Sequence, residues 1–265
     1  MLSYQHLYHA GNLADVQKHA TLAWVLDYLT RKEKPLTYIE THSGRGVYDL
    51  GADEAVKTGE AAAGIALAEA LFPKDHPYRQ RLDEARAAYG PMAYPGSPLI
   101  AALGLRETDS IHLAELHPQE FAALKAVAKD WGAHVHQTDG FDLALALTPP
   151  TPRRGLMLID PSYEVKADYE AIPRHMANLH RKWNVGLLIL WYPILKGAPH
   201  GPMLKALEAA FPDGLRHELR FPPVREGHRM EGSGLFIVNP PFGLADELAL
   251  LTTRFARLSK PPAKA

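Results

Sequence analysis

Apolar positions recur along the chain with two different periods, and the changes of period divide it into elements. In residues 13–30, Leu22, Val25, Leu26 and Leu29 follow an i, i+3, i+4, i+7 spacing that predicts an amphipathic helix. Asn12 stands where its side chain can cap the helix start. Short runs bounded by turn residues predict seven strands, at residues 36–40, 110–115, 133–137, 155–160, 186–192, 216–221 and 234–239. Residues 60–90, rich in Ala, Leu and Glu and interrupted by Pro73 and Pro77, predict two helices with no strand between them. Further helical stretches near 117–130 and 167–182 alternate with the middle strands.

Strands alternating with helices predict an α/β protein built on a mostly parallel, doubly wound sheet, whose ligands lie outside the carboxyl ends of the strands. Four successive apolar strands end in polar or acidic groups: Glu40-Thr41-His42, Glu115-Leu116-His117, Thr138-Asp139-Gly140 and Asp160-Pro161-Ser162-Tyr163. Chemistry is therefore expected at these four corners.

Composition narrows the function classes. With 46% apolar residues, 22% charged and no cysteine, the 265-residue chain reads as globular, and disulfide-stapled and zinc-thiolate classes are excluded. The 29 Lys and Arg against 30 Asp and Glu give a net charge of −1, so any nucleic-acid contact must rest on a local patch. The N-terminus has no apolar core of signal-peptide length and no stretch of about 18 apolar residues occurs, which makes a cytoplasmic protein the expectation.

The turn Glu40-x-x-x-Gly44-x-Gly46 brings a carboxylate and two glycines to one strand end, where a ligand can lie against main chain. A dinucleotide fingerprint would carry a third glycine where Asp49 stands, and a negative side chain there would repel a pyrophosphate. This argues against a nicotinamide-dependent oxidoreductase. Glu115 can accept hydrogen bonds from both ribose hydroxyls of a nucleoside. It lies 75 residues after Glu40, whereas the usual interval is about 20, so the helical stretch 51–95 is expected to be an insertion. Asp139-Gly140 suits a hydrogen bond to an adenine amino group, or is a plain turn.

Asp160-Pro161-Ser162-Tyr163 puts an acceptor, a restrained backbone and an aromatic face at the end of one strand. Methylation of an adenine amino group needs those parts. The exocyclic lone pair is delocalised into the ring, and accepting its hydrogens on Asp160 and the Pro161 carbonyl would localise it. Tyr163 can stack on the base, an interaction worth about 1–3 kcal/mol in nucleic-acid sites. Asn239-Pro240-Pro241-Phe242 resembles the usual adenine-methylase tetrapeptide more closely, but it follows the seventh strand, and a catalytic loop belongs after the fourth.

The N-terminal segment concentrates Tyr4, His6, His9, Asn12, Asp15, Lys18 and His19. His6-x-x-His9 lacks a third ligand at fixed spacing, so no metal is expected. The basic clusters at 31–34, 153–154, 174–175 and 180–182 are solvated faces unless the fold brings them to one side.

Together these motifs resemble the RlmJ-type 23S ribosomal RNA adenine-N6 methyltransferases over nearly the whole chain. The resemblance is carried by Met1-Leu2-Ser3-Tyr4, by His9-Ala10-Gly11-Asn12-x-Ala14-Asp15-Val16-x-Lys18-His19 and by Thr41-His42-x-Gly44-x-Gly46. It continues through Tyr94-Pro95-Gly96-Ser97-Pro98-Leu99-Ile100, Glu115-Leu116-His117-Pro118, Asp139-Gly140-Phe141, Asp160-Pro161-x-Tyr163 and Trp191-Tyr192-Pro193. It implies a Rossmann-like class I methyltransferase fold over residues 1–50 and 96–265, with 51–95 as a small inserted helical subdomain. It also implies S-adenosylmethionine as cofactor, with contacts from Lys18, His19, His42, Ser97, Glu115, Asp139, Gly140 and Asp160. Asp160, Pro161 and Tyr163 become the catalytic group, and Tyr4 and Tyr163 contact the target base. The expected substrate is 23S ribosomal RNA, at adenine 2030 by the family's specificity, and the expected state is a monomer without metal or membrane attachment. Ser162 stands where the family has proline. Methylation of DNA adenine and a non-catalytic RNA-binding module are the alternatives.

Overall fold

The structure, a computed structural model, describes residues 5–224, 227 and 229–258. A 3-10 turn at His6–Tyr8 leads into α1 (Leu13–Thr30), β1 (Thr37–Glu40) and β2 (Val47–Asp49). Four helices follow, α2 (Asp53–Thr58), α3 (Glu60–Ala63), α4 (Ile65–Ala68) and α5 (Pro77–Tyr89), before β3 (Ala93–Pro95) and α6 (Ser97–Gly104). Strands and helices then alternate through β4 (Ser110–Ala114), α7 (Pro118–Val127), β5 (His134–His136), α8 (Gly140–Leu147), β6 (Gly155–Ile159), α9 (Asp168–Lys182) and β7 (Leu187–Leu195). The chain closes with α10 (Gly201–Ala210), β8 (Leu215–Arg220), β9 (Met230–Val238) and α11 (Leu244–Leu258).

Seven strands form one sheet in the order β5-β4-β1-β6-β7-β9-β8, with β9 antiparallel to both its neighbours and the rest parallel. Both faces are covered, which is why β6 reads as an unbroken apolar run. Tyr38, Leu113, Leu156, Leu158, Ile189 and Ile237 point into the core shared with α1, while Ile39, Met157, Ile159, Leu188, Leu190 and Phe236 pack with side chains of α9 and α10.

Helix α1 differs from the amphipathic surface helix that its stripe predicts. It lies between the sheet and the layer of α4, α5 and α6, so Asp15, Gln17, Lys18, His19 and Thr21 are buried as well. Buried polar groups must be satisfied internally: Gln17 bonds His217 at 3.0 Å and accepts from Ser233, and the Thr21 hydroxyl donates to the Gln17 carbonyl at 2.8 Å.

The stretch 51–95 is helical up to its last strand. β3 pairs antiparallel with β2, so a two-stranded ribbon of three residues a side joins the two ends of the stretch. The expected helix from residue 60 is broken at Gly64, where a Cβ would lie 2.1 Å from the Gly11 carbonyl oxygen. The short helices thus dock against the N-terminal segment. Thr58 Oγ1 donates to the Tyr8 carbonyl at 2.7 Å, and the buried Glu60 accepts from Asn12 Nδ2 at 3.0 Å and pairs with His9 Nδ1 at 3.0 Å.

Strands β7 and β9 run nine residues each, whereas β6 stops at Ile159, opposite Leu190. Five residues of β7 therefore overhang the parallel strands, paired with β9 as far as Leu195 opposite Met230. At about 3.3 Å per residue the overhang is about 16 Å long.

Candidate active site

A cavity of about 680 Å³ opens at the carboxyl ends of β1, β4, β5 and β6, with the overhang of β7 as one wall and the start of α1 as another. Lys18 spans it. Its Nζ donates to Asp160 Oδ2 at 2.5 Å, lies 3.2 Å from Asp15 Oδ1, and stands 5.5 Å from the centre of the Trp191 ring. Burial works against charge on Lys18, but the carboxylates of Asp160 and Asp15 outweigh it and raise its pKa above the ordinary lysine value. The ammonium is thus permanent near neutrality. Asp15 is opposed by burial in the same way, yet His6, Lys18 and His19 hold it well below the usual carboxylate range. Its other oxygen accepts the Gly11 N–H at 2.9 Å and pairs with His6 Nε2 at 2.8 Å. Asp160 Oδ1 is left without a partner among the described residues.

The turn after β1 forms the floor. Glu40 is fully buried, accepting from the Tyr38 hydroxyl at 2.7 Å and from Ser97 Oγ, and burial pushes its pKa up to about 8. Glu115 is fixed by two main-chain donors, Gly44 N–H to Oε2 and His117 N–H to Oε1, each at 2.7 Å. Burial raises its pKa and these donors oppose the rise. Asp139 caps α8 through Oδ1, which accepts from the Phe141 and Asp142 N–H groups at 2.8 and 3.1 Å. A single anchored oxygen leaves the other for a ligand. Gly140 permits this junction, since a Cβ there would sit 1.8 Å from the Thr41 carbonyl oxygen. His42 packs edge-on against Phe141, and burial lowers its pKa to about 4 despite Asp160 and Asp139. His19, bonded to the Tyr94 hydroxyl at 2.9 Å, is lowered by burial to about 3. Both imidazoles are neutral at physiological pH.

The remaining wall is aromatic. Tyr163 has a left-handed backbone (φ 56°), a strained conformation for a non-glycine residue. Its hydroxyl donates to the Trp191 carbonyl at 2.8 Å, and its ring packs 4.6 Å from that of Tyr169. With the hydroxyl anchored, the ring face is the part left for a ligand. Along the overhang Trp191, Pro193 and Leu195 line the cavity at alternate positions, as the pleat of a strand requires.

The fold brings together Lys18, His19, His42, Ser97, Glu115, Asp139, Gly140, Asp160 and Tyr163, nine of the residues singled out from the sequence, around this one cavity. The Pro161 side chain is buried and does not line it. Tyr4 lies outside the described residues. Asn239 sits at the end of the antiparallel β9, opposite the start of β7, and so at the far end of the sheet from Asp160. There its amide donates to the Asn184 and Gly186 carbonyls, and Phe242 beside it is 89% exposed. Three of the four basic clusters also lie at that far end, before β1, before β6 and in the last turn of α9. The Lys18–Asp160 pair, the anchoring of Asp15 and the overhang of β7 are features that spacing alone did not show.

Residues 33–259 match the profile of a family described as "Ribosomal RNA large subunit methyltransferase D, RlmJ". The chain is 40% identical over 256 residues to ribosomal RNA large subunit methyltransferase J of Escherichia coli K12, covering 94% of this chain and 90% of that protein. It is 37% identical over 258 residues to the protein of the same name from Haemophilus influenzae, with the same coverage. A crystal structure of a Legionella pneumophila protein superimposes with a TM-score of 0.83 at 38% identity, over 93% of this chain and 94% of that one. A probable spermidine synthase from Corynebacterium glutamicum shares the fold, with a TM-score of 0.54 at 11% identity, over 92% of this chain and 72% of that one.

Proposed function

The chain belongs to the RlmJ family of ribosomal RNA large subunit methyltransferases, and on that premise we propose that it transfers a methyl group from S-adenosylmethionine to N6 of one specific adenine in 23S ribosomal RNA. The observation that carries this reading is the Asp160 corner: one carboxylate oxygen held by Lys18, the other open, beside the anchored ring of Tyr163. The alternative of a non-catalytic RNA-binding module leaves that pair without a purpose.

The donor set fits S-adenosylmethionine. Glu115 and Asp139 each keep acceptor capacity beyond their main-chain bonds, and Ser43, which lines the cavity, holds a buried Oγ with no partner among the described residues. Glu115 would take the ribose hydroxyls and Asp139 the adenine amino group, with Lys18, His19, His42, Ser97 and Gly140 enclosing the rest. When bound, this cofactor supplies an electrophilic methyl group on a sulfonium.

Asp160 Oδ1 and the Pro161 carbonyl accept the hydrogens of the target N6, which draws its lone pair out of the ring. As the nitrogen gains its methyl group it becomes strongly acidic, and Asp160 Oδ1 takes the surplus proton. A weak base suffices there, so the Lys18 ammonium on Oδ2 can fix the carboxylate's orientation without disabling it. Tyr163, and Tyr4 from the N-terminal segment, would hold a base turned out of its strand. Residues 51–95 act as an inserted subdomain whose Glu60 and Thr58 hold that segment in place. The protein is read as a cytoplasmic monomer without metal; no described helix is long and apolar enough to cross a membrane.

The test is to offer labelled S-adenosylmethionine with 23S ribosomal RNA and with adenine-containing DNA side by side. Label is expected in the RNA as N6-methyladenine. Preference for DNA would overturn the assignment.

A further inference from the structure

Three basic residues stand on segments that border the cavity and are remote from one another in sequence. Lys166 follows Val165, a cavity-lining residue of the loop after β6. Lys196 follows Leu195, the last residue of β7, and Arg229 lines the cavity just before β9. The Lys196 N–H donates to the Arg229 carbonyl at 3.1 Å, so these two sit together at the tip of the overhang. All three are exposed.

Most arginines of this chain are neutralised locally. Nine of its sixteen, Arg31, Arg45, Arg79, Arg81, Arg86, Arg106, Arg216, Arg220 and Arg254, each engage a carboxylate. The side chains of Lys166, Lys196 and Arg229 have neither an ion pair nor a hydrogen bond among the described residues. Glu164 and Asp168 share this rim, with Asp168 half-buried and its pKa raised by burial and by Asp139. The cavity wall next to Lys196 is apolar, formed by Trp191, Pro193 and Leu195.

We infer that the tip of the β7–β9 overhang, with Lys196 and Arg229, and the loop carrying Lys166 form a cradle for the phosphodiester groups that flank the target adenine in a single-stranded stretch of RNA. One base can enter the cavity only if its neighbours stay at the rim, and there the backbone meets unpaired positive charge. Phosphate contacts of this kind position a strand without reading its sequence. The basic clusters before β1, before β6 and in the last turn of α9 lie at the opposite end of the sheet and cannot serve the same nucleotides. This inference rests on the RNA methyltransferase reading above.

The test compares wild type, the triple variant Lys166→Gln/Lys196→Gln/Arg229→Gln, and a control, Lys32→Gln/Lys34→Gln, which removes exposed lysines at the far end of the sheet. Methyl transfer to a ribosomal RNA fragment is measured against RNA concentration at several salt concentrations, with binding of S-adenosylmethionine measured separately by calorimetry. The triple variant should raise KM for RNA roughly tenfold or more and flatten the log–log salt dependence by about 2, at about 0.7 per lost phosphate contact. Its kcat at saturating RNA and its cofactor affinity should stay within twofold, and the control should shift KM less than twofold. An unchanged KM and salt slope in the triple variant, or an equal KM shift in the control, overturns the cradle while leaving the methyltransferase assignment intact. Absence of transfer to any ribosomal RNA by wild type overturns the assignment itself.

Discussion

Replacing Lys18 by methionine keeps an unbranched chain of similar length and removes the charge together with its hydrogen-bond donors. At an effective dielectric constant of about 20, charges at 2.5 Å and 3.2 Å attract by about 7 and about 5 kcal/mol, opposed by a desolvation cost of several kcal/mol per ion. Truncating one partner of such a buried network typically costs about 3–5 kcal/mol, because the carboxylates left behind are buried without a counter-charge. Lys18→Met should therefore lose about 3–5 kcal/mol in urea unfolding at pH 7, seen as a lower midpoint at unchanged slope. The pH dependence has a defined sign. The folded pKa of Lys18 is raised, so its contribution is complete below the ordinary value of 10.5 and fades only as pH rises above it. Asp15 has a lowered folded pKa, so its contribution is present above 3.8 and fades as pH falls through the acid range. The double variant Lys18→Met/Asp160→Asn should be more stable than the two single losses add up to, since the stranded carboxylate is then neutral. A loss below about 1 kcal/mol, or strict additivity with Asp160→Asn, would refute the claim that this network is coupled.

Glu40, with a folded pKa of about 8 against an ordinary 4.5, binds its proton more tightly when folded, so wild-type stability should decline as pH rises through that interval. Glu40→Gln should remove the decline, its Tm gaining on wild type from pH 5 to pH 8; parallel Tm profiles would contradict this. Gly140→Ala pushes a Cβ into the Thr41 carbonyl, and the expected outcome is a chain that fails to accumulate in soluble form or melts more than 10 °C lower by calorimetry. Ser162→Pro supplies the ring found in the family motif but touches no atom assigned to catalysis. The rate of methyl transfer should change less than tenfold; a gain of orders of magnitude would show that Ser162 disables the loop.

The strands were legible because each is a short run closed by turn residues, apolar throughout in β6 and mostly polar in β5 and β8. All seven predicted runs lie in the main sheet, with ends displaced by a few residues. The larger displacement, in β7 and β9, has a local cause: Pro193 in one and Gly232 and Gly234 in the other read as breaks, yet they sit inside the overhanging ribbon. Helix α11 carries Leu244, Leu248, Leu251 and Phe255 as a buried stripe, a signal present in the sequence that was not assigned. The β2–β3 ribbon is too short to show any period. The corners of the site were readable as residues at strand ends, but their electrostatics were not. Lys18 and Asp160 are 142 positions apart, and no local pattern relates them. Isolated cations such as Lys166, Lys196 and Arg229 were invisible for the same reason, whereas three of the four conspicuous basic clusters fold to the other end of the sheet.

The most direct measurement is mass mapping of 23S ribosomal RNA after incubation with labelled S-adenosylmethionine and either wild-type protein or Asp160→Ala. Wild type should leave one labelled N6-methyladenine, and the variant none, while binding S-adenosylmethionine within a few fold of wild type. Label on another atom or base, or equal labelling by the variant, would contradict the account.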